Sequence, residues 1–181
     1  MDFHFTPITE ADALVILAWR YDPPYTTYNA MTAETAEPGG FDYLGEMLDT
    51  RSPYFAVRSI SGEGWEREPP AGFFALGSAC EVGSELDAPA GPHLYRPDGS
   101  ITIGLGLRPD LTGGGLGLPF VAAGLALARE RYQPTLLRLF VYAWNQRAIT
   151  VYERAGFTAI GRAGAPDPDG QPAFVEMIRQ P

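Results

Sequence analysis

Two stretches of this chain combine residue types and spacings that suit them to chemistry. The first is the turn Thr112-Gly113-Gly114-Gly115-Leu116-Gly117. Glycines leave backbone N–H groups unencumbered. At a helix start those groups lack intrahelical acceptors and lie at the positive end of the helix dipole, so the turn suits an anion such as a pyrophosphate. The second stretch runs from Asn145 through Arg147, Ala148 and Tyr152 to Gly156 and Phe157. Its opening amide can cap a helix or hydrogen-bond a ligand, and the spacing puts Tyr152 on one apolar face with Ala148 and Ile149. A phenol, with a reference pKa of about 10, stays protonated at neutral pH and can donate its proton.

Two common readings of a glycine turn fail here. The chain has no lysine, so the phosphate-reaching lysine of a P-loop is missing. The dinucleotide pattern Gly-x-Gly-x-x-Gly also fails, because counting from Gly113 the sixth residue is Leu118 and counting from Gly115 it is Phe120.

The elements that must position these residues follow from local signals. Residues 2–8 alternate as a strand, and Thr9 caps a helix whose Leu14, Leu17, Ala18 and Tyr21 share one face until Pro23-Pro24 ends it. A loop bearing Tyr21, Tyr25 and Tyr28 leads to a second helix over about 41–49. Strands follow at 54–60, 71–79 and 100–107, the last two separated by a Gly-, Pro- and Asp-rich segment, 82–99, that reads equally as a long hairpin loop or a flap. The helix over 116–132 is apolar almost all round, which predicts burial, and Pro119 fits only its first turn. A strand at 136–142, a helix at 145–155 closed by Gly156, and strands at 157–162 and 173–179 complete the order β-α-α-β-β-β-α-β-α-β-β.

With 181 residues and 45% apolar composition, the chain is expected to form a single domain, 1–181, around one core. A formal charge of −9 excludes nucleic acid and an anionic membrane as natural partners and suits a cationic amine. No apolar stretch approaches membrane-spanning length, and the start Met1-Asp-Phe-His-Phe lacks the pattern of a secretion signal. The lone Cys80 cannot form an internal disulfide, which agrees with a cytoplasmic location. No metal is implied.

The paired motifs resemble those of the GCN5-related N-acetyltransferase (GNAT) family. That family reads Arg/Gln-x-x-Gly-x-Gly/Ala, then Asn-x-x-Ala-x-x-x-Tyr-x-x-x-Gly-Phe. Gly115 and Gly117 match the first half; Asn145, Ala148, Tyr152, Gly156 and Phe157 match the second; Thr112 departs, standing where Arg or Gln is usual. Arg108 and Arg147 are the candidates to compensate.

The resemblance covers roughly residues 101–160. It implies an α/β (α+β) fold with a mixed, mostly antiparallel central sheet splayed between its two central strands. It also implies acetyl-CoA as cosubstrate and an acetyl group passed directly to a primary amine of a small molecule or a peptide N-terminus, with a homodimer left open. On this reading residues 112–117, namely Thr112, Gly113, Gly114, Gly115, Leu116 and Gly117, hold the pyrophosphate. Asn145, Arg147, Ala148 and Tyr152 contact the cofactor, as do Leu105 and Leu107 through their backbone, from a strand that bulges in the family. Tyr152 is the proton donor to the departing thiolate.

The family's usual basic glutamate is not found on the central strand Ser100-Ile-Thr-Ile-Gly. Glu81, Asp98 and His93 are candidates, and no base is assigned. The competing reading is a non-catalytic GNAT-like protein that binds an acyl-CoA as a sensor.

Overall fold

A computed structural model of the chain describes residues 2–29, 42–60, 64–82, 91–166 and 172–181. Residues 83–90 of the expected 82–99 segment and residue 41 at the beginning of the expected second helix lie outside these residues.

Seven strands form one sheet in the order β1-β2-β3-β4-β5-β7-β6, with β1 Asp2–Pro7, β2 Tyr54–Ile60, β3 Gly72–Leu76, β4 Ile101–Leu107, β5 Leu137–Tyr142, β6 Thr158–Pro166 and β7 Pro172–Arg179. All neighbours pair antiparallel except β4 and β5, which run parallel. That parallel pair is joined only at Ile101 with Leu137 and Thr102 with Arg138. Beyond Thr102 the two strands part, which is the expected splay.

Alternation along the strands assigns each residue to a face. Phe55 and Phe74 point to one side, where they form the main core with Phe120, Val121 and Leu125 of helix α3 (Gly117–Tyr132). Their neighbours Tyr54 and Phe73 point to the other, against a smaller cluster of Ala13 and Ile16 from α1 (Glu10–Leu17), Trp19 just beyond it, and Met47 from α2 (Tyr43–Met47).

Helix α1 starts at a complete capping box between Thr9 and Asp12, as the sequence suggests. It stops five residues before Pro23, at a cap on Ala18, and it turns a different face inward than expected. Leu14 is 53% exposed, whereas Asp12, Ala13 and Ile16 are buried. The reason is an ion pair: Asp12 Oδ1 meets Arg58 Nη2 of β2 at 2.5 Å, and this fixes the roll of the helix against the sheet.

Helix α3 is likewise one-sided. Phe120, Val121, Gly124, Leu125 and Ala128 are buried, while Ala122 is exposed. Alanines suit either environment, so the apolar composition overstated its burial. Helix α4 (Gln146–Arg154) begins at Asn145 and is followed by Gly156 at φ 88°.

The glycines of β4 do not mark a bulge. Pairing with β3 runs unbroken from Leu107 opposite Gly72 to Ile103 opposite Leu76. They mark close approach instead, because a Cβ on Gly106 would stand 2.5 Å from the Phe73 ring and one on Gly104 3.0 Å from Cys80 Sγ.

Candidate active site

The splay exposes the backbone of β4. Thr102 C=O and Arg108 N–H bond toward β3, accepting from Gly77 and donating to Ala71, so the alternate residues Ile103, Leu105 and Leu107 aim their N–H and C=O groups away from β3. On that side β4 has a ladder partner only as far as Thr102. The backbone of Leu105 therefore faces an open cleft. Leu107 does so only in part, since its C=O accepts a 2.7 Å hydrogen bond from the Tyr21 hydroxyl.

At the end of β4 the chain turns through Pro109–Leu111 and the glycines into α3. Gly113 and Gly115 sit at φ 79° and 81°, a left-handed conformation that glycine adopts without steric cost, and nothing lies within 4 Å of where their Cβ atoms would be. The first helical hydrogen bond is donated by Phe120 N–H to Leu116 C=O. Among the described residues, no backbone or side-chain acceptor takes the N–H groups of residues 113–118. Gly117 has a different role, allowing α3 to approach Val151 of α4, whose Cγ2 would be 3.2 Å from an added Cβ.

Helix α4 brings the second motif to the same cleft. Asn145 is buried, and both ends of its amide are engaged: Oδ1 accepts from Ala148 N–H at 3.1 Å, and Nδ2 donates to the Tyr28 hydroxyl at 2.8 Å. Its side chain thus caps the helix and grips the tyrosine loop, with one N–H and one oxygen lone pair of the amide still unused by these two bonds. The Ala148 N–H is used by the same cap.

Tyr152 is half-buried, packed edge-on against Phe157 at 6.1 Å, and its hydroxyl makes no hydrogen bond among the described residues. Burial foremost, and then the neighbouring Tyr28, push its pKa well above the ordinary phenol value, so it stays protonated.

These parts surround one cavity of about 800 Å³. Of the site residues expected from sequence, Leu105, Leu107, Thr112, Gly113, Gly115, Gly117, Asn145, Arg147, Ala148 and Tyr152 line it; Gly114 and Leu116 do not. Thr112 spends its hydroxyl on Pro109 C=O at 2.8 Å, and Arg108 is held by Asp110 at 2.7 Å, so Arg108 does not compensate for the missing basic residue. Arg147 lies over the Tyr25 ring at 4.1 Å, and Arg154 also lines the cavity; neither has an ion pair among the described residues.

Two further features of the cavity take their places only in the fold. The tyrosine loop crosses the open end of the splay, with Tyr21 fastened to β4 and Tyr28 to the start of α4. Glu46 of α2 lines the cavity as well, accepting a 3.0 Å hydrogen bond from the Tyr54 hydroxyl. The three candidate bases are committed elsewhere: Glu81 binds Arg96 and His93, and Asp98 accepts from Ser100. No local pattern marks Glu46, which becomes visible only when α2 packs across β2.

Comparison with known proteins agrees with this geometry. No family model matches the chain. Over 99% of its length it superposes on aminoglycoside acetyltransferase AAC(6')-Ib in complex with coenzyme A and kanamycin (TM-score 0.67, 20% identity, 95% of that chain). Over 98% it superposes on spermidine N-acetyltransferase from Vibrio cholerae in complex with CoA and spermine (TM-score 0.66, 14% identity, 95% of that chain). The chain therefore shares the fold of these acetyltransferases, and its splayed sheet and two motif halves, apart from Thr112, resemble those of the GCN5-related N-acetyltransferase family.

The chain is also similar to curated mycothiol acetyltransferases. With that of Streptomyces coelicolor it shares 39% identity over 92 residues, 49% of this chain and 27% of the relative. With that of Cellulomonas flavigena it shares 34% over 119 residues, 60% of this chain and 34% of the relative. The matched part is thus about a third or less of each of these relatives' length.

Proposed function

We propose that this protein is an acetyl-CoA-dependent N-acetyltransferase that passes an acetyl group directly to a primary amine of a small molecule or a peptide N-terminus. The observation that carries the reading is the row of N–H groups over residues 113–118 that have no acceptor among the described residues, beside a cavity that the open edge of β4 also lines. Such a row attracts the pyrophosphate, and Arg154 and Arg147 supply positive charge that Thr112 does not. The exposed backbone of Leu105 is placed to pair with the amide-bearing pantetheine arm as a neighbouring strand would.

Bound there, acetyl-CoA supplies an activated acyl group as a thioester. The chain's own part is to orient that group, exclude water with the tyrosine loop, and hold a proton on Tyr152 for the departing sulfur. The Tyr152 hydroxyl, without a hydrogen bond among the described residues, and its raised pKa both fit a donor whose proton is present at every working pH.

Other parts of the reading are a single domain over 1–181 and a cytoplasmic location; the homodimer stays open, and native mass spectrometry reads it directly. No described helix is long and apolar enough to cross a membrane. The relatives are named mycothiol acetyltransferases, and on a match to about a third or less of their length their substrate is not carried over to this chain.

The test is calorimetric titration of acetyl-CoA into wild type and Gly115→Arg. Wild type should bind, and the variant, strained at φ 81° and with its side chain in the empty cradle, should bind at least ten-fold more weakly. Equal affinities would discard the cofactor site.

A further inference from the structure

The cavity extends past the splay to the face of the sheet covered by α1 and α2, and its lining there is chemically uneven. Trp19, Tyr54 and Phe73 form a wall of rings, with Phe73 between the other two at centroid distances of 6.4 and 6.1 Å. Ile16 and Met47 continue this apolar wall. Among the described lining residues the sole carboxylate is Glu46, and the two cationic side chains, Arg147 and Arg154, come from α4 beside the glycine turn.

Glu46 is placed rather than merely present. Tyr54 fixes one of its oxygens, and Cys80, whose sulfur lies beside Gly104 of β4, lines the same cavity. The one carboxylate among the described lining residues, set in an aromatic chamber, complements one ammonium attached to an apolar body. A polyamine or aminoglycoside would bring several ammonium groups to that one partner among the described residues, at a desolvation cost for each of the rest.

We infer that the acceptor is a monoamine with an aromatic or apolar body seated against Trp19, Tyr54 and Phe73, and that Glu46 is the catalytic base that receives its nitrogen. The inference rests on the acetyltransferase reading above. Glu46 accepts one N–H proton of the ammonium: an O–H bond forms as an N–H bond breaks, the bonding pair stays on nitrogen as its lone pair, and the proton leaves to solvent after turnover. Desolvation raises the carboxyl's pKa above the usual carboxylate value, which brings it nearer to the working pH of a base.

The experiment uses the full chain with acetyl-CoA and follows release of the coenzyme A thiol with 2-phenylethylamine, spermidine or kanamycin as acceptor. The expected result is a kcat/KM for 2-phenylethylamine at least ten-fold above either polycation. Glu46→Gln should lower it about a hundred-fold with acetyl-CoA affinity unchanged. Tyr54→Phe, which keeps the ring and frees the carboxylate, should lower it several-fold and guards against misfolding of the first variant. A wild type that binds acetyl-CoA but prefers spermidine or kanamycin, or ignores 2-phenylethylamine, overturns the inference and leaves the acetyltransferase reading intact. Full activity in Glu46→Gln removes the base. Failure of wild type to bind acetyl-CoA at all overturns both.

Discussion

At the level of single residues, the site separates groups that are spoken for from groups that are free. Asn145 illustrates the first kind, its amide divided between the cap on Ala148 and the hydroxyl of Tyr28. Tyr152 illustrates the second, with a hydroxyl in the cavity wall that has no hydrogen bond among the described residues. Tyr152→Phe should therefore cost turnover, of the order of a hundred-fold, while leaving acetyl-CoA affinity within a factor of two; turnover equal to wild type across the accessible pH range would remove its acid role. Tyr28→Phe deserts a buried N–H donor of Asn145, so it should lower stability by about 1–3 kcal/mol in a denaturant titration, with no such loss expected if the amide finds another partner. Tyr21 carries a pH prediction. Burial, reinforced by Tyr28, pushes its pKa from 10.0 up to about 12. A folded-state pKa above the unfolded one contributes stability that is intact below pH 10 and lost as the pH climbs through about 12. Ultraviolet titration should accordingly show tyrosines that ionise late, together with loss of the fold, and a smooth titration of every phenol near pH 10 would contradict the packing of this loop.

At the level of elements, the decisive contacts are those that let α3 settle on the sheet and on α4. A Cβ on Gly124 would stand 2.2 Å from the fully buried Phe74 ring. Gly124→Ala should therefore cost about 1–3 kcal/mol as the helix is pushed outward, measured as a lower denaturation midpoint with the slope unchanged. The same outward shift would move the turn at residues 113–118, so acetyl-CoA affinity should fall with stability in this variant. On the opposite face, α1 depends on the Asp12–Arg58 pair, whose side chains are only 8% and 13% exposed. Arg58→Ala strands a buried carboxylate and should cost about 3–5 kcal/mol, whereas replacing both partners with apolar residues of similar volume should recover most of it. Equal losses in the single and double variants would show that the pair does not hold the helix.

At the level of the whole molecule, the cavity exists because one parallel strand pair is joined at its beginning and then abandoned. The opening exposes backbone groups that a closed sheet would have satisfied, and a ligand that replaces the missing neighbour stabilises the fold as it binds. Acetyl-CoA at a hundred times its dissociation constant should add about 2.7 kcal/mol, visible as a rise in melting temperature, and the gain should shrink in Gly115→Arg in proportion to its lost affinity. A melting temperature insensitive to acetyl-CoA in wild type would be incompatible with binding in the cleft.

The order of elements, the strand before the glycine turn, the two motif halves and the capping of α1 and α4 were all legible in the chain, because each depends on neighbours a few residues apart: Thr9 with Asp12, Asn145 with Ala148, Gly113 and Gly115 with their own backbone angles. Other features were decided by packing between segments distant in sequence. The inward face of α1 was set by Arg58 on another strand, and the continuity of β4 depended on Phe73 and Cys80 occupying the space its glycines leave. The use made of Leu107 C=O by Tyr21 and the arrival of Glu46 beside Tyr54 belong to the same kind. Local conformational preference is written residue by residue, whereas desolvation and close contact depend on which surfaces meet, and a surface is completed only when the chain has folded.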